Sequence, residues 1–125
     1  MSLVKQNDSI VGRKSYDFAL AIIKLYKNLS TEKREFILSK QVLRSGTSVG
    51  ANINEALAGE SKRDFVHKMS ISLKEARETA YWLNLLSDSG FIQKEEHSIL
   101  INNCNELMKI LSSIILTTKA KYLTK

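Results

Sequence analysis

RSGTSVGANINEALAGE, residues 44–60, decides how this chain is read. Small and polar residues fill it where a helix core would carry Leu and Ile. Apolar periodicity nevertheless persists, because Val42, Val49, Ile53 and Leu57 recur at helical spacing. A helix that keeps two internal glycines, Gly46 and Gly50, gives up roughly 1 kcal/mol for each relative to alanine. A neighbouring helix that must approach closely is the simplest reason to retain them. The stretch therefore reads as the tightest seam of a helical bundle.

Working outward, residues 1–12 read as a polar lead-in and residues 13–125 as one four-helix domain. Helix 1 is predicted over Arg13–Leu29, with Phe18, Ala19, Ile22, Leu25, Tyr26 and Leu29 on one face. A short connection at Asn28, Leu29 and Ser30 follows. Ser30 is the expected N-cap of helix 2, with Glu32 and Glu35 in its first turn. That helix should run to Ala58, on the order of 40 Å, and stop at a left-handed Gly59. Ser61-Lys62-Arg63-Asp64 has the form of a capping box for helix 3. Phe65, Met69, Leu73, Ala76, Ala80 and Leu83 form the expected core face, and Gly90 the stop. Helix 4 begins near Gln93 and carries Leu100, Cys104, Leu107, Leu111 and Ile114. Short connections between four helices predict an all-α, antiparallel up-down bundle.

Composition narrows the function classes. Hydrophobic residues make up 43% of the 125 and charged residues 26%, as in ordinary globular domains. No apolar run reaches membrane-spanning length, and the N-terminus lacks a signal-peptide pattern. A single cysteine, Cys104, excludes an internal disulfide and suits a reducing, cytoplasmic setting. The net charge of +6 is uneven, with +5 in residues 1–44, −1 in 45–90 and +2 in 91–125. Lys33, Lys40 and Arg44 are expected along one side of helix 2, Lys24 and Lys27 on helix 1, and Lys62 and Arg63 at the start of helix 3. Each is a candidate phosphate contact, and each is equally an ordinary solvated lysine or arginine.

Catalytic and metal signatures are weak. Asp64 and His67 have the spacing of half a di-iron motif, but no second copy follows, and a helix-start Asp with a surface His is the preferred reading. Arg63 and His67 are separated by three residues, whereas helical HEPN-type nucleases use four to six. No P-loop, nucleophile elbow or dinucleotide fingerprint occurs. No cofactor, metal or small-molecule substrate is therefore expected. Ser48, Asn52 and Glu55 on helix 2, with Ser72 and Glu75 on helix 3, read as a partly buried polar network that fixes helix register. Ile71, Trp82 and Leu85 lie opposite the expected core face of helix 3 and read as a subunit interface.

The segment Gln41–Leu86 closely resembles the four-helix-bundle proteins encoded in intervening sequences of 23S ribosomal RNA genes. The residues that carry the resemblance are Gln41, Arg44, Ser48, Asn52-Ile53, Glu55, Arg63 with Phe65, Ser72-Leu73 and Glu75. Tyr16–Leu29 fits the family's first helix and Gly90-Phe91-Ile92 its third loop, so the likeness extends over residues 13–115. Ala56 departs from the family's usual Gly at that position. The resemblance implies a ring-like homo-oligomer, a pentamer. It extends to the accessory variability protein of diversity-generating retroelements, a basic pentamer that binds nucleic acid and its reverse transcriptase. It implies no established activity. The expected function is a non-enzymatic, oligomeric RNA-binding or scaffolding protein. The alternatives are an adaptor for an acidic protein partner and, further off, a helical RNase.

Overall fold

The computed structural model describes residues 9–123, which form four α-helices followed by one π-helical turn. They are α1 (Ile10–Thr31), α2 (Leu38–Leu57), α3 (Lys62–Asp88) and α4 (Lys94–Thr118), with the π turn at Lys119–Leu123. Residues 1–8 of the expected lead-in lie outside the described residues, and Ile10, Val11 and Gly12 belong to α1. Ser9 is its N-cap, accepting from the Gly12 amide at 3.1 Å.

Contacts between neighbouring helices run in opposite sequence order. On α1 and α2, Ser15 lies against Gly50 and Ile22 against Gly46. Between α2 and α3, Thr79 donates to Ser45 and Ser72 donates to the Val49 carbonyl, both at 2.8 Å. On α3 and α4, Cys104 donates to the Ala76 carbonyl at 3.2 Å, and His97 Nε2 lies 2.8 Å from Asn84 Oδ1. The core unites Phe18, Ile22, Leu25 and Leu29 with Val42, Val49 and Ile53, then Met69, Ala76 and Leu83, then Cys104, Leu107 and Leu111.

The seam is an α1–α2 contact. A Cβ built on Gly46 would sit 2.8 Å from Ile22 Cγ1, inside any permissible contact. At Gly50 the nearest atom is the Ser15 carbonyl oxygen at 3.3 Å.

The α1–α2 connection differs from expectation. Ser30 lies within α1, where its hydroxyl donates to the Tyr26 carbonyl at 2.9 Å, and it caps nothing. Helix α2 starts eight residues later and is 20 residues long, about 30 Å. Its cap is a carboxylate from outside the helix. Glu35 accepts from the amides of Ile37, Leu38 and Ser39 at 3.1, 3.0 and 2.7 Å. Burial pushes this carboxyl up, but the three amides outweigh burial and hold it below its ordinary value. A lowered folded-state pKa stabilises above the unfolded value, and the gain is lost as pH falls through the folded one. Glu35→Gln should lower stability at pH 7 by about 1 kcal/mol. It should also flatten the loss of stability between about pH 5 and pH 3. Urea titrations across that window check this, and parallel curves for the two proteins would refute it.

Further expectations need correction. Gly59 is not left-handed, and α2 ends through Ala58 at φ −95°. The core face of α3 is centred on Val66, Ser72 and Thr79, leaving Phe65, Leu73 and Ala80 at its edge. In α4, Ile115 is buried in place of Ile114, and Thr118 closes the buried stripe. Gly90 does take the left-handed conformation, φ +86°, just past α3.

Candidate nucleic-acid interface

The candidate cations separate into two groups. Lys24 and Lys27 lie in the last turns of α1, Lys33 lies in the connection, and Lys40 lies in the first turn of α2. All four are exposed. Lys33 therefore does not share a helix side with Lys40 and Arg44, contrary to expectation, because α2 has not yet begun there. Lys62 and Arg63 open α3, beyond the far end of the 20-residue α2. Lys62 adjoins the π turn, where it and Lys121 both stand over the Tyr122 ring, at 4.5 and 5.3 Å from its centroid.

Arg44 is already engaged. Its guanidinium bonds Glu75 at 3.2 Å and also Glu78. Glu78 accepts from the Trp82 indole N–H at 3.0 Å as well. The indole bond and then the arginine hold the Glu78 carboxyl below its ordinary value. This α2–α3 cluster withdraws Arg44 from the set of free phosphate contacts.

The polar residues form local bonds instead of one network. Ser48 donates to the Arg44 carbonyl and Asn52 to the Ser48 carbonyl, within α2. Exposed Glu55 pairs with Lys68 at 2.8 Å. Ser72 and Glu75 do reach across to the neighbouring helix. Among the inter-helix polar contacts that sequence reading missed, Ser45 with Thr79 joins two fully buried side chains. Ile71, Trp82 and Leu85 are half-buried within the protomer, and Trp82 packs on its core. The large apolar side chains that remain exposed include Tyr81, in edge contact with Trp82 at 5.0 Å between ring centroids, and, elsewhere, Tyr16 and Leu20 on α1 and Phe36 and Ile37 in the connection.

Sequence reading also missed Arg34 and Phe36. Arg34 adopts φ +53°, a left-handed conformation that costs a non-glycine residue roughly 1–2 kcal/mol. The turn is held by the Glu35 amide, which donates to the Leu29 carbonyl at 2.8 Å. It carries the Arg34 guanidinium over the Phe36 ring, 6.0 Å from the centroid. Lys24, Lys27, Lys33, Arg34 and Lys40 form no ion pair with the described residues.

No group of three or more His, Cys, Asp and Glu side chains able to hold a metal occurs among the described residues. Burial pushes the Cys104 thiol up to about 12, so it is not a reactive thiolate. An open, largely apolar groove of about 670 Å³ lies between α1 and α2, lined by Gly12, Tyr16, Ala19, Gly50, Ala51 and others. Lys94–Leu123, with a mean hydropathy of 1.3 in its most apolar window, is long and apolar enough to cross a membrane by length and composition. The expectation concerns uninterrupted apolar runs, and Asn102, Asn103, Asn105, Glu106 and Lys109 interrupt this segment. Leu100, Cys104, Leu107 and Leu111 give it the place of a core helix.

These features define an all-helical domain with a basic corner. Residues 7–113 match the family model described as 23S rRNA-intervening sequence protein, and the chain belongs to that family. Among solved structures, it is similar to a protein of unknown function from the S23 ribosomal protein family of Bacteroides thetaiotaomicron VPI-5482. The two are 50% identical over 85% of this chain and 98% of the other, with a TM-score of 0.84. Comparison with curated proteins found no match.

Proposed function

We propose that the protein is a non-enzymatic RNA-binding scaffold of the cytoplasm, built from up-down antiparallel bundles in a ring-like homo-oligomer, a pentamer. The observation that carries this reading is the α1–α2 corner, where five exposed cations have no ion pair among the described residues while Arg44 and Lys68 are paired. A ring repeats this corner in every subunit. Linked weak sites act at high effective concentration, so modest phosphate contacts sum to useful affinity. The surface best suited to subunit contact is Tyr16 and Leu20 beside the α1–α2 groove, since Ile71, Trp82 and Leu85 keep only part of their area free.

The test combines assembly with binding. Light scattering should give a mass well above 14.1 kDa, and Tyr16→Asp with Leu20→Asp should lower it towards that value. Labelled RNA titrated at several salt concentrations should show affinity falling steeply with salt. Reversing Lys33 and Lys40 to Glu should weaken binding about tenfold or more and reduce that slope. A salt-independent affinity, or a reversal without effect, would remove this corner as the site.

A further inference from the structure

We propose that the α1–α2 corner takes unpaired RNA, with Phe36 and the Arg34 guanidinium as the platform for an unstacked base and Lys33 and Lys40 on the flanking phosphates. The inference rests on the reading that this corner binds RNA, and it adds the form of the ligand. Four lysines and an arginine would serve any polyanion. The apolar side chains between them would not. Phe36 is 47% exposed and Ile37 75% exposed, in the middle of the basic cluster. Nothing in a duplex rewards that arrangement, because paired bases are stacked out of reach and an A-form helix offers sugars and phosphates. An unpaired base offers a π-face, and aromatic rings and guanidinium planes are the two side-chain groups that stack on it.

The presentation is fixed by the backbone. Arg34 is held left-handed, which swings its guanidinium over the ring. The Glu35 carboxylate binds the amides of residues 37, 38 and 39, which locks the residues that follow the ring. Ser39 then turns into the core, leaving Phe36 and Ile37 outside. The same clamp turns the Glu35 carboxylate, still charged, onto backbone amides, so Glu32 is the one fully exposed acidic side chain of the connection. The ends of α3 and α4 that flank the next connection at this level of the chain have the opposite balance, Asp88, Glu95 and Glu96 against Lys94, so the basic corner does not continue onto them. An anionic bilayer also attracts basic and apolar side chains. Phe36 and Ile37 together carry less hydrocarbon than one myristoyl chain, which alone anchors only marginally.

The full-length protein is titrated with a labelled, unstructured RNA strand of about twelve nucleotides, with a duplex of equal length, and with phosphatidylserine vesicles. Phe36→Ala should weaken the strand about tenfold and leave the duplex unchanged, and Phe36→Trp should restore affinity. The new indole should be quenched by the strand and not by the duplex. Lys33→Glu should weaken both RNAs. Phe36 lies outside the core, so circular dichroism of the variants should match wild type. Equal losses for strand and duplex, or none, would overturn the single-strand inference while RNA binding stood. Failure of the wild type to bind either RNA at low salt would overturn both. Vesicle binding lost in Phe36→Ala, without RNA binding, would reassign the corner to membranes.

Discussion

Gly46→Leu should cost about 3 kcal/mol or more, the largest loss expected of any single substitution at the helix seams. The reason is positional. The first carbon of any side chain at residue 46 falls 2.8 Å from Ile22 Cγ1 and 2.9 Å from Cγ2. Ile22 is fully buried and β-branched, so it has few rotamers to move into and no solvent to move toward. The helices must separate, which opens voids along the remaining α1–α2 contact. Gly46→Ala sets the scale of the effect. Alanine should gain about 1 kcal/mol of helix propensity, yet the clash at Ile22 should exceed that gain. Ile22→Ala in the Gly46→Leu background should recover part of the loss, because it removes the two carbons that collide. Urea denaturation of the four proteins measures each term. An unchanged midpoint in Gly46→Leu would show that the seam tolerates a side chain.

The seam is legible in the sequence because glycine within an apolar helical pattern has a local cost, and the pattern itself survives around it. Helix number, the Ser61 cap of α3 and the Gly90 stop are legible for the same reason, since each is written in local chemistry. The first turn-over is not. The sequence pattern runs helix 2 from Ser30 because no Gly or Pro marks the end of α1. Arg34 supplies the left-handed residue instead, and its strain is sustained by the Glu35 clamp and the Leu29 carbonyl. An arginine in place of an ordinary turn residue also hides the basic-aromatic corner. The phase of α3 is misread for another reason. Ser72 and Thr79 are polar, so hydrophobic periodicity omits them from the apolar face. Their hydroxyls are satisfied by the Val49 carbonyl and Ser45, and they lie at its centre. Hydrophobicity finds an interface only to the extent that the interface is apolar.

Arg44→Glu should separate a structural cation from a ligand-binding one. By charge alone Arg44 and Lys40 are equivalent, one turn apart on α2. In the fold, Arg44 bridges Glu75 and Glu78, and the Glu75 side chain is only 16% exposed. Reversal places three carboxylates where one guanidinium bound two, and withdraws a partner from the Glu78 acceptor that also holds Trp82. Arg44 is half exposed, so screening limits the effect, and a loss of about 1–2 kcal/mol is expected. Lys40→Glu, with no ion pair among the described residues to lose, should stay within about 0.5 kcal/mol. The pH dependence distinguishes repulsion from lost packing. Crowded carboxylates have raised folded-state pKa values, so the folded protein takes up protons more readily than the unfolded chain. The Arg44→Glu deficit should therefore shrink as pH falls from about 7 to 5, where the crowded carboxylates protonate. Arg44→Met keeps the side-chain stem without the charge and should lose less, with no such recovery. RNA affinity should follow the opposite order, falling more in Lys40→Glu than in Arg44→Met. If Arg44→Met weakens RNA binding as much as Lys40→Glu does, then the guanidinium leaves its carboxylates for phosphate, and the interface extends from the corner along α2.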